Sequence, residues 1–159
     1  MTIKKFPSEE FPQIPSVEIN VHEGWKSQSF PNSVIGLVKN DSEFSSNILI
    51  DVKKVEKSYD FTSNTIELQN YTHGLKKLNI FSDSVHKING LSWKVEEFAY
   101  INKEVGAIAQ LIAVSFITIN DTKFMINFTG TTKLIENEKN EDYEKIQEML
   151  GSIKVNENQ

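Results

Sequence analysis

The run over residues 105–119 constrains this chain more than any other stretch. It is rich in Ile, Val, Ala and Phe, and it is apolar on both faces toward its middle. Such a run reads as a strand, and a strand apolar on both faces has to be covered on both. The chain must therefore build a sheet with packing on each side. Turn chemistry on either flank says how that sheet continues. Asn120-Asp121 turns the run back into a strand over residues 123–129. Upstream, Asn89-Gly90, a favoured type I′ hairpin pair, joins a strand at 85–88 to another at 91–101.

The first part of the chain supplies three more strands. Val17, Ile19 and Val21 alternate with Glu18, Asn20 and His22 from Ser16 onward, the period of a half-buried strand, and Glu23-Gly24-Trp25 ends it. Residues 34–38 follow the Phe30-Pro31-Asn32 break. Residues 47–55 come next, with Ile48, Ile50 and Val52 on one side. Trp25 is expected in the core, as a plug over the sheet end.

Two stretches change period. Phe61, Thr65, Leu68, Thr72 and Leu75 recur at spacings of four and three, which predicts an amphipathic helix over 61–78. Asn64 and Glu67 are spaced as a capping box, and Gly74 weakens the last turn. A second helix is expected to start near Asn140 and to bury Tyr143, Ile146, Met149 and Leu150, with Gly151 as its C′ stop. Ile153-Lys154-Val155 then docks on the domain. Residues 1–15, with Pro7, Pro12 and Pro15 among charges, read as an extended tail, and residues 16–156 as a single domain. The class is α+β, an antiparallel sheet with helices packed on it.

Composition narrows the work such a domain can do. With 159 residues, 38% of them hydrophobic, the chain can bury a real core. A formal net charge of −5 repels phosphate backbones. The basic groupings Lys4-Lys5, Lys53-Lys54-Lys57 and Lys76-Lys77 are short, so no nucleic-acid partner is expected. The absence of cysteine removes thiol chemistry and cysteine zinc sites. No apolar run approaches the roughly 20 residues that span a bilayer, so no membrane insertion is expected. Lys4 and Lys5 are followed by no apolar stretch of the signal-peptide kind, which makes the cytoplasm the expected compartment.

Catalytic and metal-binding patterns are missing. His22, His73 and His86 have no second ligand at helical spacing, and there is no Asp-rich calcium loop. Ser63 and Ser115 lie in no Gly-x-Ser-x-Gly setting, and the seven glycines are dispersed. No enzyme, cofactor or metal is expected. Two other sets stand out. Glu141, Glu144 and Glu148 line the acidic second helix; a charge run of this kind reads first as a solvated face, and second as a patch for a basic partner. Trp93, Phe98 and Tyr100 form the other set. Phe98 and Tyr100 share one face of their strand and Trp93 the opposite one. Burial accounts for at least one of these faces, and an exposed aromatic face would bind protein.

The order of several local signatures resembles the PsbP-like fold, an α/β/α sandwich, and within it bacterial proteins of the LpqN type. These signatures are Val17-Glu18-Ile19-Asn20-Val21-His22-Glu23-Gly24-Trp25, Asn47-Ile48-Leu49-Ile50, Ile88-Asn89-Gly90-Leu91, the strand from Gln110 to Ile119, and Leu150-Gly151-Ser152-Ile153-Lys154-Val155. Proteins of this fold include an extrinsic photosystem II subunit, a Ran-binding import factor, cell-envelope lipoproteins and chaperones of secretion effectors. Their shared theme implies binding to another protein. No lipobox cysteine is present, a departure that puts membrane anchoring in doubt. The implied function is a non-catalytic binding module, a chaperone or immunity-type partner of a secreted effector or toxin. The alternative is a small-ligand carrier or weak enzyme using a cleft between sheet and helix.

Overall fold

A computed structural model describes residues 1–40 and 44–156. Nine strands and two helices follow one another along these residues. They are β1 (Ser16–Glu18), β2 (Lys26–Ser27), β3 (Ile35–Lys39), β4 (Ser46–Val55), α1 (Phe61–Thr72), β5 (Lys76–Ile88), β6 (Leu91–Asn102), β7 (Gly106–Ile119), β8 (Thr122–Lys133), α2 (Glu141–Gly151) and β9 (Lys154–Asn156). Seven strands form one sheet in the order β2-β3-β4-β8-β7-β6-β5, with antiparallel neighbours throughout. The apolar run is β7, an interior strand flanked by β8 and β6, while β8 is the middle one. β1 and β9 pair separately, with Val17 opposite Val155.

The two helices lie on opposite faces. In β6, Glu97 pairs with Leu111 and Phe98 with Gln110, so these neighbours point to opposite sides. Tyr71 of α1 packs its ring against Phe98 and donates a 2.7 Å hydrogen bond to Gln110. Tyr143 of α2 donates to Glu97 at 2.7 Å. The larger core lies under α2, where Trp25, Leu37, Ile48, Ile50, Trp93, Leu111, Ile126 and Phe128 meet Ile146, Met149 and Ile153. The chain therefore has the PsbP-like α/β/α layering that its signatures imply.

Turn residues explain why the long strands fold back where they do. Asn89 (φ 47°) and Gly90 (φ 88°) both sit at positive φ, as a type I′ turn demands, and so do Asn120 (φ 47°) and Asp121 (φ 67°). Helix α2 buries the four side chains that its periodicity predicts. Its start is fixed by Asp142, whose carboxylate accepts hydrogen bonds from Lys39 (2.6 Å) and Ser46 (2.8 Å).

Several expectations need correction. Helix α1 stops at Thr72, not near residue 78, and its capping box is formed by Asp60 and Ser63. The chain then enters β5 at Lys76, nine residues before the expected 85. Only Ser16–Glu18 of the first alternating stretch is strand, because β9 offers three residues to pair with. Gly151 is the last helical residue of α2, and Ser152 caps the helix in right-handed conformation. Residues 1–15 form no helix or strand, yet Pro12 and Pro15 are buried.

On the α1 face, Lys94 Nζ lies 3.5 Å from both Glu96 and Asp83 carboxylates. Glu96 is only 4% exposed, and this burial raises its carboxyl above the usual range despite Lys94. A carboxyl raised in the folded state favours folding most when protonated, and that contribution is lost as pH rises through its folded value. Glu96→Gln removes this dependence. The melting temperature of the variant relative to the unsubstituted protein should therefore rise between about pH 4 and about pH 7. A constant or falling difference between the two melting curves would contradict it.

Candidate functional site

Helix α2 rests on β8 and β7, and a gap remains between it and the β5–β6 hairpin on the same sheet face. A groove of about 500 Å³ results, lined by His86, Ile88, Asn89, Val95, Glu97, Leu111, Gln147 and Leu150, among others. Its ends are closed by contacts across the gap. At one end Phe81, 50% exposed, packs its ring 6.0 Å from that of Tyr143. At the other, Asn89 Nδ2 donates to the carbonyl of Ile153 at 2.8 Å.

The chemistry of the groove follows from register. In β6, Val95 and Glu97 point to the α2 side, and Leu111 of β7 stands opposite Glu97. The floor is therefore apolar, with one carboxylate set into it. Glu97 Oε1 accepts two hydrogen bonds from α2, from Tyr143 Oη and Gln147 Nε2, each 2.7 Å. Burial, and after it the Glu97 carboxylate, holds the Tyr143 phenol above its ordinary range, so it remains a donor. Across the groove, His86 Nε2 and Ser84 Oγ are 2.8 Å apart.

The outer rim is β5, the edge strand of the sheet. Its pairing with β6 shifts register between Lys76 and Asn79 and again between Ile80 and Ser82. From Ser82 to Ile88 the ladder is regular. Three large apolar residues are exposed on this strand: Phe81 (50%), on the α2 side against Tyr143, and Ile80 (48%) and Val85 (62%), which stand opposite Phe98 and Lys94 and so face the α1 side. An edge strand with free backbone groups and exposed apolar side chains is a surface on which another chain can pair.

The structure separates the residues that the sequence put forward. Glu141, Glu144 and Glu148 lie on the exposed side of α2, away from the core stripe. Glu144 stands 3.8 Å from Lys139, and Glu148 is 2.8 Å from His22 Nε2 and 3.8 Å from Lys145, so this acidic face is partly neutralised by its own neighbours. Trp93 and Phe98 are fully buried, one on each side of the sheet. They hold the two helices and offer no surface, which removes the exposed aromatic face at these positions. Tyr100 is half-buried, its ring 6.2 Å from that of Phe98. None of the six lines the groove. Glu97, absent from the sequence expectations, is its central polar group; the available signal was the pair Glu96-Glu97 between Val95 and Phe98, of which only Glu97 faces α2.

Other depressions are less suited to a partner. One between the N-terminal segment and the β7–β8 turn is lined by Glu9, Glu10, Asn120, Asp121 and Thr122, with no apolar floor. Among the described residues no group of three or more His, Asp or Glu side chains could hold a metal ion, and no helix is long and apolar enough to cross a membrane.

No family model matches the chain, and no curated protein sequence does. Solved structures match over most of its length. LpqN of Mycobacterium tuberculosis, described as involved in cell envelope biogenesis, superimposes with a TM-score of 0.71 at 12% identity, covering 89% of this chain and 84% of LpqN. The Ran-binding protein Mog1p of Saccharomyces cerevisiae gives 0.56 at 14% identity, over 87% and 89% of the two chains. Cyanobacterial PsbP from Synechocystis also gives 0.56, at 10% identity, over 88% and 92%. These are likenesses of fold, and they agree with the layering that the strands and helices build.

Proposed function

We propose that this PsbP-like chain is a non-catalytic protein-binding module that receives an extended segment of a partner in the groove between α2 and the β5–β6 hairpin. The observation that carries this reading is the groove beside α2, floored by Val95, Leu111 and Leu150, with the unpaired edge strand β5 as its rim and Phe81 half-exposed on the same side. An unpaired strand edge supplies main-chain hydrogen bonds to an added segment, and Phe81 and Ile88 supply apolar contact beside it. That one protein of the same fold is described as Ran-binding supports a protein partner here as well. The finer reading is a cytoplasmic accessory protein that chaperones or neutralises a secreted effector or toxin.

The acidic outer face of α2 is the second surface, favoured by the run Glu141, Glu144 and Glu148. The two surfaces respond differently to substitution and salt. Dodecapeptides selected by display against the protein are expected to lose binding to His86→Trp, which places a ring across the groove. They should be indifferent to the triple substitution Glu141→Lys, Glu144→Lys, Glu148→Lys. Their association should depend only weakly on salt, because apolar contacts are not screened and a charge half-buried in the groove is screened far less than exposed charges, which are screened beyond about 8 Å at physiological ionic strength. Binding that the triple substitution abolishes and His86→Trp leaves unchanged would move the site to the outer face of α2.

A further inference from the structure

We infer that the groove selects a partner segment carrying a lysine or arginine side chain between apolar residues, and that Glu97 is the group that recognises it. The inference rests on the binding reading above and names what the site takes. Among the described residues Glu97 is the one carboxylate lining the groove, and it lies beside Val95, Leu111 and Leu150. Its Oε1 is occupied by Tyr143 and Gln147, both donors from α2, which fix the carboxylate plane. Its Oε2 has no hydrogen-bond or ion-pair partner among the described residues. A carboxylate fixed by two donors on one oxygen and open on the other is prepared to accept from a cation.

Charge complementarity decides the class of occupant. An acidic segment would meet like charge at Glu97 in a half-buried setting, which is repulsive. A wholly apolar segment would cover Glu97 and leave its second oxygen unpaired and desolvated, which is also unfavourable. A lysine or arginine satisfies that oxygen, and its aliphatic stem lies along the apolar floor. His86 faces the groove from the far wall with Nε2 already against Ser84, and Lys87, which also lines it, pairs with Ser92 and so points by register to the α1 side.

The test compares display selections of random dodecapeptides on the intact protein and on Glu97→Gln. Glutamine keeps an oxygen for Tyr143 and Gln147 but carries no charge. Basic residues flanked by apolar ones should be enriched on the unsubstituted protein and not on Glu97→Gln. Replacing the basic residue of a selected peptide by norleucine should weaken binding about tenfold or more to the unsubstituted protein, as expected for a charge-assisted hydrogen bond, and hardly at all to Glu97→Gln. The norleucine arm on the unsubstituted protein stands alone if Glu97→Gln folds poorly. Peptides that bind in the groove without basic enrichment, or with the same enrichment on Glu97→Gln, overturn this inference and leave the binding function standing. Peptides that bind elsewhere, or none that bind, overturn both.

Discussion

Val114→Asp is expected to abolish the cooperative folding of the domain. Val114 is 1% exposed in the interior strand β7, and its side chain points to the α1 side, where it pairs across strands with Lys94 and Asn127. Neither neighbour compensates a new carboxylate well. Lys94 is already held between Asp83 and Glu96, and Asn127 Oδ1 is itself buried without a partner. An uncompensated buried charge costs about 3–5 kcal/mol, a large share of the 5–15 kcal/mol that holds a typical domain together. Thr118→Asp, on the same strand and the same face but exposed, is the control and should melt like the unsubstituted protein. Circular dichroism melts of the two variants check this. A sharp, unshifted transition for Val114→Asp would remove β7 from the interior of the sheet.

The second large effect comes from the contact that seats α2. Gly130 in β8 is buried, and a Cβ there would fall 2.3 Å from Ile146 Cγ2, far inside van der Waals contact. Ile146 is 0% exposed, so it cannot swing away. Gly130→Ala should therefore lift α2 off the sheet, at a cost of about 1–3 kcal/mol for overpacking. In a domain of this size that lowers Tm by roughly 2–12 °C. Ile146→Ala alone should cost about 2–5 kcal/mol by opening a cavity. The double variant should cost clearly less than the sum, because the new methyl occupies part of the space that Ile146 vacates. Strictly additive losses would mean that the helix does not rest on Gly130. Displacement of α2 also moves Tyr143 and Gln147, so Gly130→Ala should weaken groove binding even where the protein stays folded.

Strong local chemistry made much of this fold legible. Both hairpin turns carry residues that tolerate positive φ, and the strands on each side could be placed from them. The stripe Tyr143, Ile146, Met149, Leu150 reads directly as a helix face. Strand β5 was harder, and its bulges explain why. The register shift between Ile80 and Ser82 changes which residues face which side, so Leu78, Ile80, Phe81 and Val85 show no steady period of two. Leu75 and Leu78 instead extended the helical spacing of α1 past Thr72, where it ends, and into β5, where Lys77 already sits at positive φ (52°). The capping box was misplaced because its N3 residue is Ser63, not the Glu or Gln of the usual pattern.

The candidate site was less legible than the fold. A groove beside a helix depends on which strands that helix leaves uncovered, and no local pattern records this. Glu141, Glu144 and Glu148 drew attention as a run in sequence, yet two of the three are answered by neighbouring cations. Trp93 and Phe98 drew attention as aromatics, and the sheet uses them as core. Glu97 is one of three neighbouring charges in β6, beside Lys94 and Glu96, and nothing local sets it apart. It gains meaning only when Tyr143 and Gln147, distant in sequence, converge on it.

The measurement that tests the account most directly is an amide chemical-shift map of the protein titrated with a display-selected dodecapeptide. The largest shifts should fall on residues 82–88 of β5, on Val95 and Glu97, on Leu111, and on Gln147 and Leu150, with the α1 face unchanged. Shifts centred on α1, or on the outer face of α2 around Glu141 and Glu144, would contradict the groove as the binding site.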